Sequence, residues 1–351
     1  MPSIAPEILR KILIHLCDDG PLALRHMLFT SKWFYNVIVN DAELWTTINL
    51  DAGFFDYFSN RPAKQANRFM MHCLLRSGAL PLCICLENDS LFDHHYLGVL
   101  ELFIIPKYRA FNRCTSLIWK FASWSDLPIL PKELPSLRNI VLSSFIDPDD
   151  GSQFPNCPLL ETVEMMSHQH PYPSFWGTNF AHVTTLILGH HSVWRSDNIT
   201  TLSPFPVLQD LTLLTKGRPI WVTDRGSILP VQINSLRILR VHGYIHSVFL
   251  TKLVAPALEE LHLKAGSQYW TSISGLESSL NPFCLHLFAF LPKAVAAQEP
   301  AWAMNLSKLV QKCTRLETLS ISKWMEKECK EFMGGSDVVL CVPSSTMLDP
   351  L

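Results

Sequence analysis

The chain has 351 residues, 48% of them apolar, with 29 basic and 31 acidic residues and a formal charge of -2. That is enough apolar material for one large domain or two smaller ones, while the balanced charge argues against a nucleic-acid surface that tracks phosphates. No run of 18 uncharged apolar residues exists to cross a membrane, so the sequence reads as soluble and without a secretory signal. Ten cysteines are scattered without C-x-x-C spacing. Cys83 and Cys85 stand two apart in an apolar run, where strand geometry holds them side by side without bridging. The pattern favours reduced thiols in the cytoplasm, the nucleus or both.

The first predicted element is "IAPEILRKILIHL", residues 4 to 16. Pro6 suits the first turn of a helix and Glu7 the positive end of its dipole. Ile4, Ala5, Ile8, Leu9, Ile12, Leu13 and Leu16 cover an arc of about 180°, against roughly 100° for an ordinary surface helix. So apolar a helix needs two surfaces to pack against, one of which can belong to another protein. After a turn at "CDDGP", Leu24, Met27 and Leu28 share a second helical face. Ser31 can then cap a third helix carrying Trp33, Phe34, Val37 and Ile38, before "NDAELW" ends on Trp45.

Four elements in order, "PEIL", "LRHML", "TSKWF" and "ELW", resemble the F-box over residues 4 to about 50. Ala5 and Thr30 depart from the usual pattern; Thr30 is isosteric with the usual valine, whereas Ala5 softens the helix start. The resemblance implies a three-helix unit that docks on a Skp-family adaptor and through it joins a cullin-RING ubiquitin ligase. The residues matched to the motif as adaptor-facing or motif-core positions are Pro6, Ile8, Leu9, Ile12, Leu16, Leu28, Ser31, Lys32, Trp33 and Trp45. Sequence alone does not sort face from core among them.

Residues 51–79 read as a connecting helical segment. Its helix, at 60 to 77, carries Ala66, Phe69, Met70, Cys73 and Leu74 on one side and stops at Gly78. "PLCICLE" then reads as a short strand. From there a pattern of three apolar positions recurs: "LRNIVL" at 137, "LETVEM" at 160, "VTTLIL" at 183, "LQDLTL" at 208, "LRILRV" at 236, "LEELHL" at 258 and "LETLSI" at 316. The intervals are 23, 23, 25, 28, 22 and 58, the last wide enough for a degenerate copy, "LHLFAF" at 285. Most copies follow a turn such as "LPS", "CPL", "FPV" or "APA".

The period and pattern resemble the irregular leucine-rich repeats found on F-box proteins, and "RSG" followed by "PL" and a strand is similar to the large F-box families of mushroom-forming fungi. The asparagine of regular repeats is mostly missing. The expected fold is therefore α/β: a three-helix F-box at 1–50, then at 80–351 a leucine-rich-repeat-like solenoid with a parallel curved sheet. "KWMEKECKEFMGG" and "VVLCV" would close its far end.

Alternation along such strands sends the leucines inward and turns the third, fifth and seventh repeat positions to an open face. Between 208 and 264 that face carries Asp210, Thr212 and Leu214, then Ile238, Arg240 and His242, then Glu260, His262 and Lys264. Asp210, Arg240, His242, Glu260, His262 and Lys264 make a cluster suited to an acidic or mixed-charge target segment, or simply a solvated face.

No P-loop, dinucleotide fingerprint, hydrolase elbow or H-E-x-x-H motif occurs. Histidines at 94–95, 168–170 and 190–191 lack cysteines or carboxylates at ligand spacing, and "DPDDG" at 147–151 reads as a turn. The sequence thus points to a non-enzymatic substrate receptor without cofactor or metal, binding an adaptor and an unknown protein target rather than nucleic acid or membrane. The alternative is an F-box and repeat scaffold without ligase activity.

Overall fold

The computed structural model describes residues 6–16, 22–59, 63–88, 102–103, 109–121, 131–144, 154–167, 180–190, 200, 202–215, 230–243, 252–266, 284–290, 315–321 and 339–341. The chain is α/β, with a large parallel sheet and few helices. It divides into two compact units, residues 1–163 and 164–351.

The first unit opens with α1 (Pro6–Leu16), α2 (Arg25–Leu28) and α3 (Lys32–Asn40), followed by a 3-10 turn at Ala42–Trp45. The Ser31 hydroxyl caps α3 by accepting from the Phe34 amide at 3.2 Å. Asp41 ends the helix, and its carboxylate accepts from the Glu43 amide at 3.1 Å. Leu9, Leu13, Leu24, Ile38, Leu44, Trp45 and Cys73 form one buried cluster, with Leu28, Phe34 and Phe69 packed against it. Trp45 donates its indole N–H to the Ile38 carbonyl at 2.8 Å, and the Arg76 guanidinium lies 4.7 Å from its ring centroid. Both contacts satisfy a large amphipathic ring in place.

A short strand, β1 (Thr47–Leu50), leads into α4 (Ala52–Ser59), whose start is capped by Asp51 accepting from the Phe54 amide at 2.8 Å. The sequence reading has no separate elements here. The expected connecting helix is α5 (Ala63–Arg76), which buries Ala66, Met70, Cys73 and Leu74 and ends before Gly78, at φ 58°. That left-handed value suits glycine at a helix end. Arg113 holds the same end, donating to the carbonyls of Leu80 and Leu74 at 3.0 and 3.1 Å and to the Ser77 hydroxyl at 2.9 Å.

Strands β2 (Leu82–Asn88), β3 (Cys114–Phe121) and β4 (Asn139–Ser144) follow β1 in parallel and in chain order. Their register stacks Ile48, Ile84, Leu117 and Ile140 in one buried column and Leu50, Leu86, Trp119 and Leu142 in the next. The next strand, β5 (Thr162–Ser167), contains the division between the units.

The second unit continues with β6 (Thr185–His190), β7 (Asp210–Thr215), β8 (Val231–Gln232), β9 (Ile238–His242), β10 (Leu253–Val254), β11 (Glu260–Gly266), β12 (Cys284–Phe290), β13 (Thr318–Ile321) and β14 (Val339–Cys341). All except β8 and β10 run parallel in chain order in the main sheet; β8 and β10 pair with each other. Leu186, Leu211, Leu239, Leu261, Leu285 and Leu319 are in register, and so are Leu188, Leu213, Val241 and Leu263. All ten are buried. The wide interval before 316 holds β12, where the degenerate copy was expected, and β14 falls on "VVLCV". The expected helix at 323–335 lies outside the described residues.

The entry to each strand repeats as well. A buried residue three places ahead of the leading one accepts its amide: Leu134 from Leu137, Cys157 from Leu160, Phe180 from Val183, Phe205 from Leu208, Ile233 from Leu236 and Ala255 from Leu258, at 3.1 to 3.4 Å. The carbonyl just after a leading residue then captures two successive amides of the next strand. Arg138 accepts from Glu161 and Thr162, Thr184 from Gln209 and Asp210, Gln209 from Arg237 and Ile238, and Arg237 from Glu259 and Glu260.

Leu239→Asp would set an unpaired charge inside the column between Leu211 and Leu261, and should cost more than about 3 kcal/mol. Arg240→Ala, one residue on but on the half-exposed side, should move stability by less than about 1 kcal/mol. Urea unfolding of the two variants checks both values; comparable losses would overturn the register.

Candidate functional site

Two surfaces bring the expected residues together. On the first, helix α1 divides its apolar side chains between two sides. Leu9 and Leu13 enter the buried cluster, whereas Ile8, Ile12 and Leu16 are 56%, 44% and 39% exposed. Trp33 on α3 is 45% exposed, and Ser31 and Lys32 lie beside it in the exposed first turn. Leu28 is half-buried against the cluster and Trp45 is buried, so these two and Leu9 are core positions of the motif. Pro6 begins α1.

Three further large side chains, Ile14, Phe29 and Tyr35, are exposed in the same helical unit. Ile14 interrupts the polar side that Glu7, Arg10, Lys11 and His15 give α1, a signal the sequence carries; Phe29 and Tyr35 have none beyond their apolarity. Arg10 fixes the helix from its polar edge, with Nε 2.7 Å from Asp41 Oδ2 and Nη2 2.6 Å from Glu43 Oε2. Both carboxylates raise the guanidinium pKa.

The second surface is the half-exposed side of the sheet in residues 164–351. Asp210, Ile238 and Glu260 are in register across β7, β9 and β11, as are Thr212, Arg240 and His262, and then Leu214, His242 and Lys264. All nine side chains are half-buried, as alternation requires. Arg240 Nη1 lies 2.5 and 2.6 Å from the two Asp210 oxygens, and His262 Nε2 lies 3.0 Å from Glu260 Oε2. Arg240 is therefore already neutralised by Asp210 rather than held out alone toward a target. His242 has its pKa lowered, first by burial and then by Lys264, His262 and Arg240. On the neighbouring strands, the Met166 thioether occupies the space a side chain at Gly189 would need.

Cys85, Cys114 and Cys157 are poor nucleophiles. Cys73, Cys83, Cys85, Cys114, Cys157 and Cys341 form no disulfide. Burial pushes the Cys85 thiol up to about 11 and those of Cys114 and Cys157 up to about 12, so none is ionised near neutrality. Among the described residues no three His, Cys, Asp or Glu side chains group as metal ligands, and no helix is long and apolar enough to cross a membrane. The turn at 147–151 and the histidines at 94–95, 168–170 and 191 lie outside those residues.

A thiol whose pKa is higher folded than unfolded lends stability below its unfolded value, and this is lost as pH climbs through the folded one. Cys157 should therefore contribute a loss of stability between pH 9.0 and about 12. Urea midpoints across the accessible alkaline range should fall more steeply for the native chain than for Cys157→Ala; parallel curves would contradict the assignment.

No protein-family model matches this chain, and no curated protein matches it.

Proposed function

We propose that this chain is a substrate receptor of a Skp-cullin-F-box ubiquitin ligase. Residues 1–50 act as an F-box that docks on a Skp-family adaptor, and residues 80–351 act as an irregular leucine-rich-repeat solenoid whose open face holds a protein target. The receptor breaks and makes no bonds itself. It contributes proximity, since tethering target and ligase raises their effective concentration near one another. Such ligases work under the reducing conditions of the cytoplasm and nucleus, where cysteines without bridges, like the six described ones, are at home.

The observation that carries this reading is the division of α1. The motif order "PEIL", "LRHML", "TSKWF", "ELW" supplies the resemblance, and Ile8, Ile12, Leu16 and Trp33 stay exposed although Leu9 and Leu13 already give the helix its place in the core. Large apolar side chains exposed together mark a surface for a partner. The strand order supports the solenoid, because each repeat strand lies beside the next in sequence and buries its leucines against neighbours.

Ile8→Asp with Ile12→Asp should abolish co-purification of the Skp-family adaptor while leaving the thermal melt of the chain within a few degrees, because neither side chain enters the core. Capture of adaptor and cullin by the native chain, and loss by the variant, is the expected result. Unchanged capture would overturn the docking surface, and capture without any target ubiquitylation would favour the scaffold alternative.

A further inference from the structure

Two thiols stand together on one face of strand β2. Leu82, Ile84 and Leu86 are buried, so alternation brings Cys83 and Cys85 to the opposite, open face, where Cys83 is exposed and Cys85 half-buried. Successive residues on one face of a strand are about 6.6 Å apart. A disulfide needs its two Cβ atoms within about 4.5 Å, so this pair does not close one. An ion between the sulfurs demands less approach, since two metal–thiolate bonds of about 2.3 Å in line already span about 4.6 Å. Strand side chains lean along the strand in either of two common rotamers, and each sulfur has only to lean inward by about 1 Å.

The surroundings set how many ligands an ion would find. In register, Thr47 and Ser116 flank Cys83, and Asn49 and Ile118 flank Cys85; none of the four is a cysteine, histidine or carboxylate. The charged groups that act on Cys85 are Glu87, Lys120 and Asp51. Both carboxylates are engaged, Glu87 with Lys120 at 3.2 Å and Asp51 with the Phe54 amide and the Asn49 side chain at 2.8 and 3.1 Å. The Cys114 thiol, on which Cys83 also acts, is buried and donates to the Ser116 carbonyl at 3.2 Å. Among the described residues no third ligand joins the pair. Zinc completes a tetrahedron, and magnesium and calcium take oxygen ligands, whereas thiolate sulfur selects soft ions.

We propose that Cys83 and Cys85 form a two-coordinate site for a soft monovalent ion, Cu(I), on the open face of the sheet in residues 1–163. On binding, both S–H bonds break, each sulfur forms one bond to copper and two protons pass to solvent, with no change of oxidation state. The site needs neither adaptor nor target and stands apart from the ligase reading.

The full-length chain, reduced and kept under argon, is titrated with Cu(I) supplied as its glutathione complex, and bound copper is measured after release to the chromogenic chelator bathocuproine disulfonate. Cys83→Ser, Cys85→Ser and the double variant should each hold one copper ion fewer per chain than the native protein, because either thiol alone is no site. No loss, loss in only one single variant, or a double variant that loses two ions would overturn the paired site. Titration with zinc chloride should show no ion that depends on the pair; a zinc ion lost with the same variants would overturn the two-coordinate assignment. A measurement on the native chain covers the case of a variant that fails to fold. Copper should shield Cys83 and Cys85 together from iodoacetamide, read by peptide mass spectrometry, and alkylation of the two that copper leaves unchanged would sink the proposal.

Discussion

The central repeats are set by where one carbonyl sits. The residue after the buried leading position holds its C=O where two consecutive amides of the next strand can reach it, from Thr184 to Gln209 and Asp210, then from Gln209 to Arg237 and Ile238, then from Arg237 to Glu259 and Glu260. A slip of one residue would break that double acceptance and would turn a whole row of leucines toward water. At β5, β7, β9 and β11 register is therefore fixed twice, once by hydrogen bonding and once by burial. The return segments between strands, whose repeat intervals run from 22 to 28 residues between positions 137 and 258, can differ in length without disturbing either.

With the register fixed, the two sides of the sheet separate cleanly. Leu239 and Val241 are buried while Ile238, Arg240 and His242 between and beside them are half-buried on the opposite side. The polar side is not a loose set of charges. Asp210 holds Arg240, Glu260 holds His262, and nearer the strand entries Arg237 donates twice to Glu259, at 2.9 and 2.8 Å. Side chains already held in place lose less conformational freedom when a partner arrives. Helix α1 follows the same economy of faces, with two leucines directed into the core and Ile8, Ile12, Ile14 and Leu16 left outside it.

The strands of the later repeats were legible because three apolar positions at fixed offsets recur, and a half-buried parallel strand needs that alternation. What was missed shows the limits of the same signal. Strand β3 obeys the pattern, with Phe111, Cys114, Leu117 and Trp119 all buried, but a cysteine in the leading place hides it. Strand β1 uses Trp45 as its leading residue, so the final tryptophan of the helical motif also begins the sheet; the Thr46 carbonyl behind it accepts from Cys83 at 2.9 Å. Strand β2, by contrast, was legible in "PLCICLE" although it is one residue short of the repeat pattern, and its register with β3 shifts between Leu82 and Cys83. On the candidate surfaces, alternation correctly placed Arg240 and His242 on the face. It could not say that Asp210 would reach across to Arg240, because that depends on the neighbouring strand's register. Nor could helical spacing decide that Leu9 turns inward and Ile8 outward, since both lie on an arc too wide to have one centre.

The separation of the two sides also bears on how such a chain changes over generations. Substitutions at Asp210, Thr212, Arg240, His242, His262 or Lys264 alter what the sheet displays and leave the leucine columns as they were. The displayed surface can then drift one residue at a time, without a compensating change in the core at each step. A duplicated copy inherits the leucine columns intact and is free to diverge at the sheet surface alone, which is the condition under which one scaffold can come to display many different surfaces.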